Sequence, residues 1–437
     1  MRQRGRWPAP PARLSESSSR VMLNRACSWL LILSVIAMPP LLLTTANGGS
    51  AAFYLALLSS IVVLATREPG PRPADFRLLW IAASLPLAAT LLSAALHGDW
   101  PGSGAERGLR LALGLPLLLA ALHACGIERL RHALWGLLAA GWAGAAVLVS
   151  LIIRHPGERP VTTEYNAVGY GNLLLLFAMI SLFSFSWRLT PYRRAEALFK
   201  SLTLLITFAA FILTQTRSGW LALPVFVLLG LVVYAASRRP LRLVGALTVI
   251  LAGLLALGSL SPALRDRVQD GVTQYQECER DPVADTSICI RLQLWRSAWA
   301  MLAEHPVAGG WPTGFPAHLQ ARSAEGQVSA YVAENFGEPH NDMLDALAQY
   351  GVPGGLALLL LYLLPCLVFA RRLHRRWPQP VRAAAAMGLC VCLGFAIFGL
   401  SEHMFRGMRT VGLYAMLIAL FAALSNPRSA AARQPMP

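Results

Sequence analysis

His340 stands in the stretch EPHNDMLDALAQYGVPGG, and its imidazole is the kind of side chain that takes a proton near neutral pH. Arg217, in QTRSGW, and Arg291, in SICIRLQLW, carry guanidinium forks that stay charged and fit a phosphate or diphosphate in two places at once. A base beside an anion clamp can activate a hydroxyl while an anionic group departs. Ser218 and Gly219 follow Arg217 and allow a close backbone approach, where the free N–H groups of a starting helix favour a phosphate. Asn341 and Asp342 can cap a short helix, Met343 to Gln349, which ends at Gly351 with Pro353 beyond it. Each residue also has a plainer reading. Arg217 suits an interfacial anchor, Arg291 a snorkelling arginine, and His340 a residue that merely fixes a loop.

The elements that must position these groups are membrane helices. The chain of 437 residues is 55% hydrophobic and 14% charged. Its apolar runs are about 17 to 25 residues long, the length that crosses a bilayer as helix. The fold class expected is an all-α polytopic membrane protein with about twelve spans and one large, mostly helical outward loop. Residues 1–27 read as a disordered basic tail, 28–260 as the first nine spans, 261–352 as the loop, 353–424 as the last three spans, and 425–437 as a second tail. The first apolar run contains Pro39 and Pro40 but no small-residue cleavage pattern, so it reads as a retained span. The formal charge of +16 is spread over short loops rather than gathered on one face, which argues against nucleic acid. Clusters such as Arg188/Arg193/Arg194/Lys200, Arg238/Arg239/Arg242 and Arg371/Arg372/Arg375/Arg376/Arg382 alternate along the chain in a way that puts both termini in the cytoplasm and the large loop outside.

Within that loop, Leu292, Trp295, Trp299 and Leu302 recur at helical spacing, and Arg291 is expected on their face. Trp295, Trp299, Trp311 and Phe315 can stack on sugar rings, although core packing also explains them. Cys278 and Cys289, eleven positions apart in the loop, can form a disulfide in an oxidising compartment; the other five cysteines lie in or beside spans. No metal and no cofactor is expected. The chain has no Asp-x-Asp, and Asp342 and Asp345 are explained by capping and solvent exposure. Arg154, His155, Arg159, Glu402, His403, Arg406 and Arg409 also fall on the outward side, where sequence does not sort them.

Three segments together, TQTRSGW, RLQLW followed by HPVAGGW, and HNDMLDALAQYGVPGG, resemble the O-antigen ligase and polymerase superfamily, the ligase in particular. The resemblance runs over roughly residues 166–424. It implies a GT-C-like integral glycosyltransferase of the bacterial inner membrane; the missing Asp-x-Asp points to metal independence, and one base with no evident nucleophile points to inversion. Such an enzyme moves polysaccharide from undecaprenyl diphosphate to the outer-core sugar of lipid A-core at a periplasmic site. By the same resemblance, Arg217 and Arg291 grip the donor diphosphate, His340 deprotonates the acceptor hydroxyl, and Ser218, Gly219, Asn341 and Trp295 support them. The implied partners are the undecaprenyl-diphosphate-linked donor, the lipid A-core acceptor and membrane lipids. The alternatives are a polymerase of the same superfamily, a protein O-oligosaccharyltransferase, which usually carries a larger outward region, or a transporter of lipid-linked sugars, for which the breaks at Pro39/Pro40, Pro86, Pro116 and Pro224 lack an accompanying inverted repeat.

Overall fold

The computed structural model describes residues 13–67, 72–100, 102–156, 160–162, 165–216, 218–234, 262–311, 314–405 and 407–426, with isolated positions 245, 249 and 252–253. Among these residues there are helices and no strands. In chain order they are α1 (Arg13–Thr44), α2 (Gly48–Ala65), α3 (Phe76–His97), α4 (Gly102–Leu109), α5 (Leu115–Cys125), α6 (Ile127–Leu130), α7 (Leu134–Arg154), α8 (Ala167–Ser184), α9 (Arg193–Leu213) and α10 (Ser218–Tyr234). The series continues with α11 (Pro262–Arg280), α12 (Ser287–Glu304), α13 (Gly314–Ala324), α14 (Ala330–Asn335), α15 (Asp342–Arg372), α16 (Gln379–Phe398) and α17 (Met408–Leu424). A π-helical stretch, Arg110–Gly114, joins α4 to α5.

Nine helical stretches among the described residues are long and apolar enough to cross a membrane, and α10 and α17 are shorter apolar helices. The protein is thus an all-α polytopic membrane protein. The ninth of the spans expected over residues 28–260 lies outside the described residues apart from a few helical positions. Of the tail expected over residues 1–27, the first twelve lie outside the described residues, and α1 is helical from Arg13. The tail's prolines at 8, 10 and 11 all precede that point, and no proline or glycine interrupts the chain from there to Pro39.

Two helices are apolar all round and form the centre. Every residue of α8 but Leu182 is buried, and so is every residue of α17 from Thr410 onward. A helix without a polar face has no stable place on an aqueous surface and is enclosed by its neighbours. Here α16 packs on α8, α10, α15 and α17, while α3 runs along α15. The segment between α10 and α15 has a core of its own, built on Leu294, Ala298, Met301, Phe315, Leu319 and Val332, and α12 rests on α15.

The expected apolar face of α12 is corrected in part. Leu302 is buried and Trp295 packs partly against the core as expected, but Trp299 is 61% exposed, and Leu294, Ala298 and Met301 are buried instead. Polar residues turn inward with them because they find partners. Gln293 donates to the Ala284 carbonyl at 3.0 Å and accepts from the Ser329 N–H at 2.8 Å. Nearby, Cys278 and Cys289 are joined, with their Cα atoms 5.3 Å apart.

Candidate functional site

The turn that carries His340 is held from both sides. Trp295 Nε1 donates to the Pro339 carbonyl at 3.0 Å, and Asn341 Nδ2 donates to the Leu400 carbonyl at 3.0 Å. The Asp342 N–H donates to the Gly399 carbonyl at 2.8 Å, which needs a glycine there, since a Cβ on residue 399 would meet Asp342 Oδ2 at 2.5 Å. Asn341 also caps α15, its Oδ1 accepting from the Met343 and Leu344 N–H groups at 3.0 Å. Between these ties His340 adopts φ 48°, a left-handed backbone that a non-glycine residue keeps only where its surroundings enforce it.

His340 lines a cavity of about 460 Å³ together with Tyr165, Asn166, Glu338, Glu402, His403 and Arg409. Its Nδ1 lies 3.5 Å from Glu402 Oε1 and 3.9 Å from Glu338 Oε1. The edge of its ring meets Phe336 at a centroid distance of 5.7 Å. Glu402 accepts from Asn166 Nδ2 at 2.8 Å, and Asn166 at the same time caps α8 through the Gly169 N–H at 2.7 Å. Burial pushes the Glu402 carboxyl upward, but His340, Asn166 and the His403 backbone together hold it below the usual carboxylate range. Arg409, in the first turn of α17, sits with its guanidinium carbon 5.6 Å from the Tyr165 ring. That turn is fixed from outside by Arg110, whose Nη1 donates to the Met408 carbonyl at 2.7 Å.

His403 forms the back of this cavity and reaches a second, smaller one of about 90 Å³ lined by Thr90, Arg107, Asp342, Asp345 and Tyr350. Its Nδ1 is 3.0 Å from Glu338 Oε2 and its Nε2 is 3.1 Å from Asp345 Oδ2 and 3.5 Å from Asp342 Oδ1. With carboxylates on both nitrogens the ring is an imidazolium. Burial alone would lower its pKa, yet Asp345, Glu338 and Asp342 raise it well above the ordinary imidazole value. The expectation that capping and solvent exposure account for Asp342 and Asp345 is corrected. Both are buried, at 3% and 5% exposure, and are held by hydrogen bonds. Asp342 accepts from the Phe405 N–H and from Tyr362, and Asp345 accepts from Gln349 Nε2 at 2.6 Å. Their spacing of three residues puts both on the α15 face that meets His403.

The remaining expected site residues fall as follows. Arg291 is half-buried on α12, where Nη1 donates to Ser287 Oγ at 3.2 Å; it is one turn from Trp295, which touches the His340 turn, but it is not in the cavity wall. Arg217, Arg159 and Arg406 lie outside the described residues. The neighbours of Arg217 are placed. Thr216 Oγ1 donates to the Ala167 carbonyl at 2.9 Å and Ser218 Oγ donates to Asn172 Oδ1 at 3.2 Å, which sets this turn against the start of α8, beside Asn166. Gly219 packs on Phe211, which a Cβ would meet at 2.5 Å. Of the outward ionisable groups, Glu402, His403 and Arg409 line the cavity and Arg154 and His155 do not. Glu338, Asn166 and Tyr165 escaped the sequence reading because their partners are remote, Asn166 being 236 positions from Glu402. The one local hint was a glutamate two residues before His340.

Residues 202–359 match the family described as O-antigen ligase. An uncharacterized protein of Haemophilus influenzae is 25% identical to this chain over 224 residues, which is 50% of this chain and 54% of the relative, so the similarity spans about half of that protein's length. The matched segment includes QTRSGW, α12, the His340 turn and the start of α15, and over these residues the chain is similar to the O-antigen ligase family.

Proposed function

We propose that the protein is an O-antigen ligase, a glycosyltransferase that moves polysaccharide from undecaprenyl diphosphate to the outer-core sugar of lipid A-core. The observation that carries this reading is the placement of His340. Within the family-matched segment it is held in a left-handed turn on a cavity wall, with Nδ1 against carboxylates. Because Nδ1 is engaged, Nε2 is the nitrogen that takes the acceptor proton. The acceptor O–H bond breaks, its oxygen bonds to the anomeric carbon, and the diphosphate leaves with the electron pair of the broken C–O bond. One displacement of this kind inverts the anomeric configuration. Arg217 and Arg291 neutralise the leaving diphosphate, with Ser218, Gly219, Asn341 and Trp295 supporting the two segments and the His340 turn.

The charge distribution supports a periplasmic site in the inner membrane with both termini cytoplasmic. α15 starts at the cavity and, beyond its break at Gly351, continues from Val352 for roughly 30 Å at 1.5 Å per residue to a far end that carries Arg371 and Arg372. Arg193, Arg194 and Lys200 lie at that same end, where Lys200 Nζ donates to the last turn of α8 at the Ser184 carbonyl.

The test uses purified protein in detergent with both substrates and gel analysis of products. Transfer to lipid A-core, surviving excess chelator, is expected. Lengthening of the lipid-linked donor instead would identify a polymerase, an untouched donor would favour a transporter, and loss of transfer with chelator would refute metal independence.

A further inference from the structure

His340 faces two carboxylates, and their surroundings differ. Glu338 turns Oε2 to His403 at 3.0 Å, and His403 gives its other nitrogen to Asp345 at 3.1 Å. The negative charge of Glu338 is therefore already matched by a buried cation. Glu402 has no such partner among the contacts that hold it. It accepts from the neutral Asn166 amide at 2.8 Å and from the His403 backbone N–H at 3.3 Å, and its Oε1 is the carboxylate oxygen nearer to His340. Its separation of 3.5 Å from Nδ1 is long for a hydrogen bond, as is common for catalytic pairs before substrate binds.

We propose that Glu402 is the positioning carboxylate of this base: it fixes the Nδ1–H tautomer of His340 and carries the counter-charge when Nε2 takes the acceptor proton, while His403 pins Glu338 away from that role. This deepens the glycosyl-transfer reading and rests on it. Asn166 is the second positioning residue, since one side chain caps α8 and orients Glu402. The groups facing His340 from other elements are Glu338 and His403 in the two loops, Arg409 from α17 and Tyr165 before α8.

The test compares wild type with Glu402→Gln, Glu402→Asp, Glu338→Gln and Asn166→Asp in the full-length chain. In the transfer assay, Glu402→Gln lowers kcat by about 100-fold or more with KM changed little, and the acid limb of its pH profile moves to lower pH. Glu402→Asp keeps the charge and recovers part of kcat. Asn166→Asp keeps the α8 cap but sets a second carboxylate against Glu402, so it moves the limb to higher pH. Glu338→Gln lowers thermal stability and leaves the limb within a few tenths of a pH unit. In parallel, the side-chain NMR of His340 in isotopically labelled protein is titrated in each variant, which needs no substrate. A His340 titration that moves down in Glu402→Gln and stays in Glu338→Gln supports the pairing. The same titration in both variants as in wild type, or the larger movement in Glu338→Gln, overturns it. Wild type that fails to transfer sinks the ligase reading, and the titration still judges the pairing.

Discussion

Buried between Glu338 on one nitrogen and Asp345 and Asp342 on the other, His403 is the charge on which the acidic side of the site depends. Replacing it by Gln leaves Glu338 and Asp345 without their buried cation, a loss of roughly 3–5 kcal/mol when one partner of a buried pair is removed. The pH dependence has a definite sign. The folded-state pKa of His403 is raised, so its stabilisation is complete below the ordinary imidazole value and fades as pH rises through the folded one. Thermal unfolding in detergent should therefore show a wide gap between wild type and His403→Gln at pH 6 that narrows as pH increases; a gap that widens would contradict the charge assignment. At the clamp, Arg291→Lys should restore donor binding poorly relative to Arg291→Ala, because a point charge does not reproduce the guanidinium fork. Binding titrations of the lipid-linked donor measure this, and full binding by either variant removes Arg291 from the clamp. His340 was legible in the sequence because it heads a capped helix in a distinctive string. Glu402 and His403 were visible only as outward ionisable groups, since nothing local distinguishes them from surface charges until the loop after α16 folds against the His340 turn.

Glycines decide how the elements meet. Gly351 breaks α15 with φ 67° and ψ −164°, and a Cβ there would meet the Pro306 and Val307 carbonyls at 2.6 Å. The kink lets the Val352 N–H reach the Pro306 carbonyl at 2.8 Å, so the loop after α12 is docked against the helix that starts at His340. Gly351→Ala should cost about 1–3 kcal/mol in backbone strain alone and lower the melting temperature; an unchanged temperature would mean the docking is not needed. Gly171 has the same function on the other side. A Cβ at that position would meet the Thr214 and Thr216 hydroxyls at 2.4 Å, pushing the turn before Arg217 away from α8. Gly171→Ala should thus weaken donor binding, read as a raised Kd. The helices themselves were legible because apolar runs of bilayer length permit little else. The inward face of α12 was not, because Gln293 and Ser297 look like solvent residues until their hydrogen bonds to Ala284, Ser329 and the helix backbone are formed.

Among the described residues, the basic clusters Arg193/Arg194/Lys200 and Arg371/Arg372 stand at the ends of their helices away from the cavity. Glu325 is exposed in the outward segment and Arg376 follows α15 at the far end. A cysteine replacing Glu325 should react with a membrane-impermeant maleimide in cells whose outer membrane is permeable, whereas one replacing Arg376 should react only after the inner membrane is opened. The reverse pattern would invert the orientation. Basic loops gave this alternation in the sequence, but they say nothing of which outward groups converge, because that depends on contacts between segments hundreds of residues apart. The central claim is that His340 is the base in transfer from a lipid diphosphate. Its most direct test is a single turnover by purified wild type and His340→Ala with labelled undecaprenyl-diphosphate-linked polysaccharide and lipid A-core, with donor binding measured on the same samples. We predict transfer by wild type, and donor binding without transfer by His340→Ala; a variant that transfers at close to the wild-type rate would contradict the account.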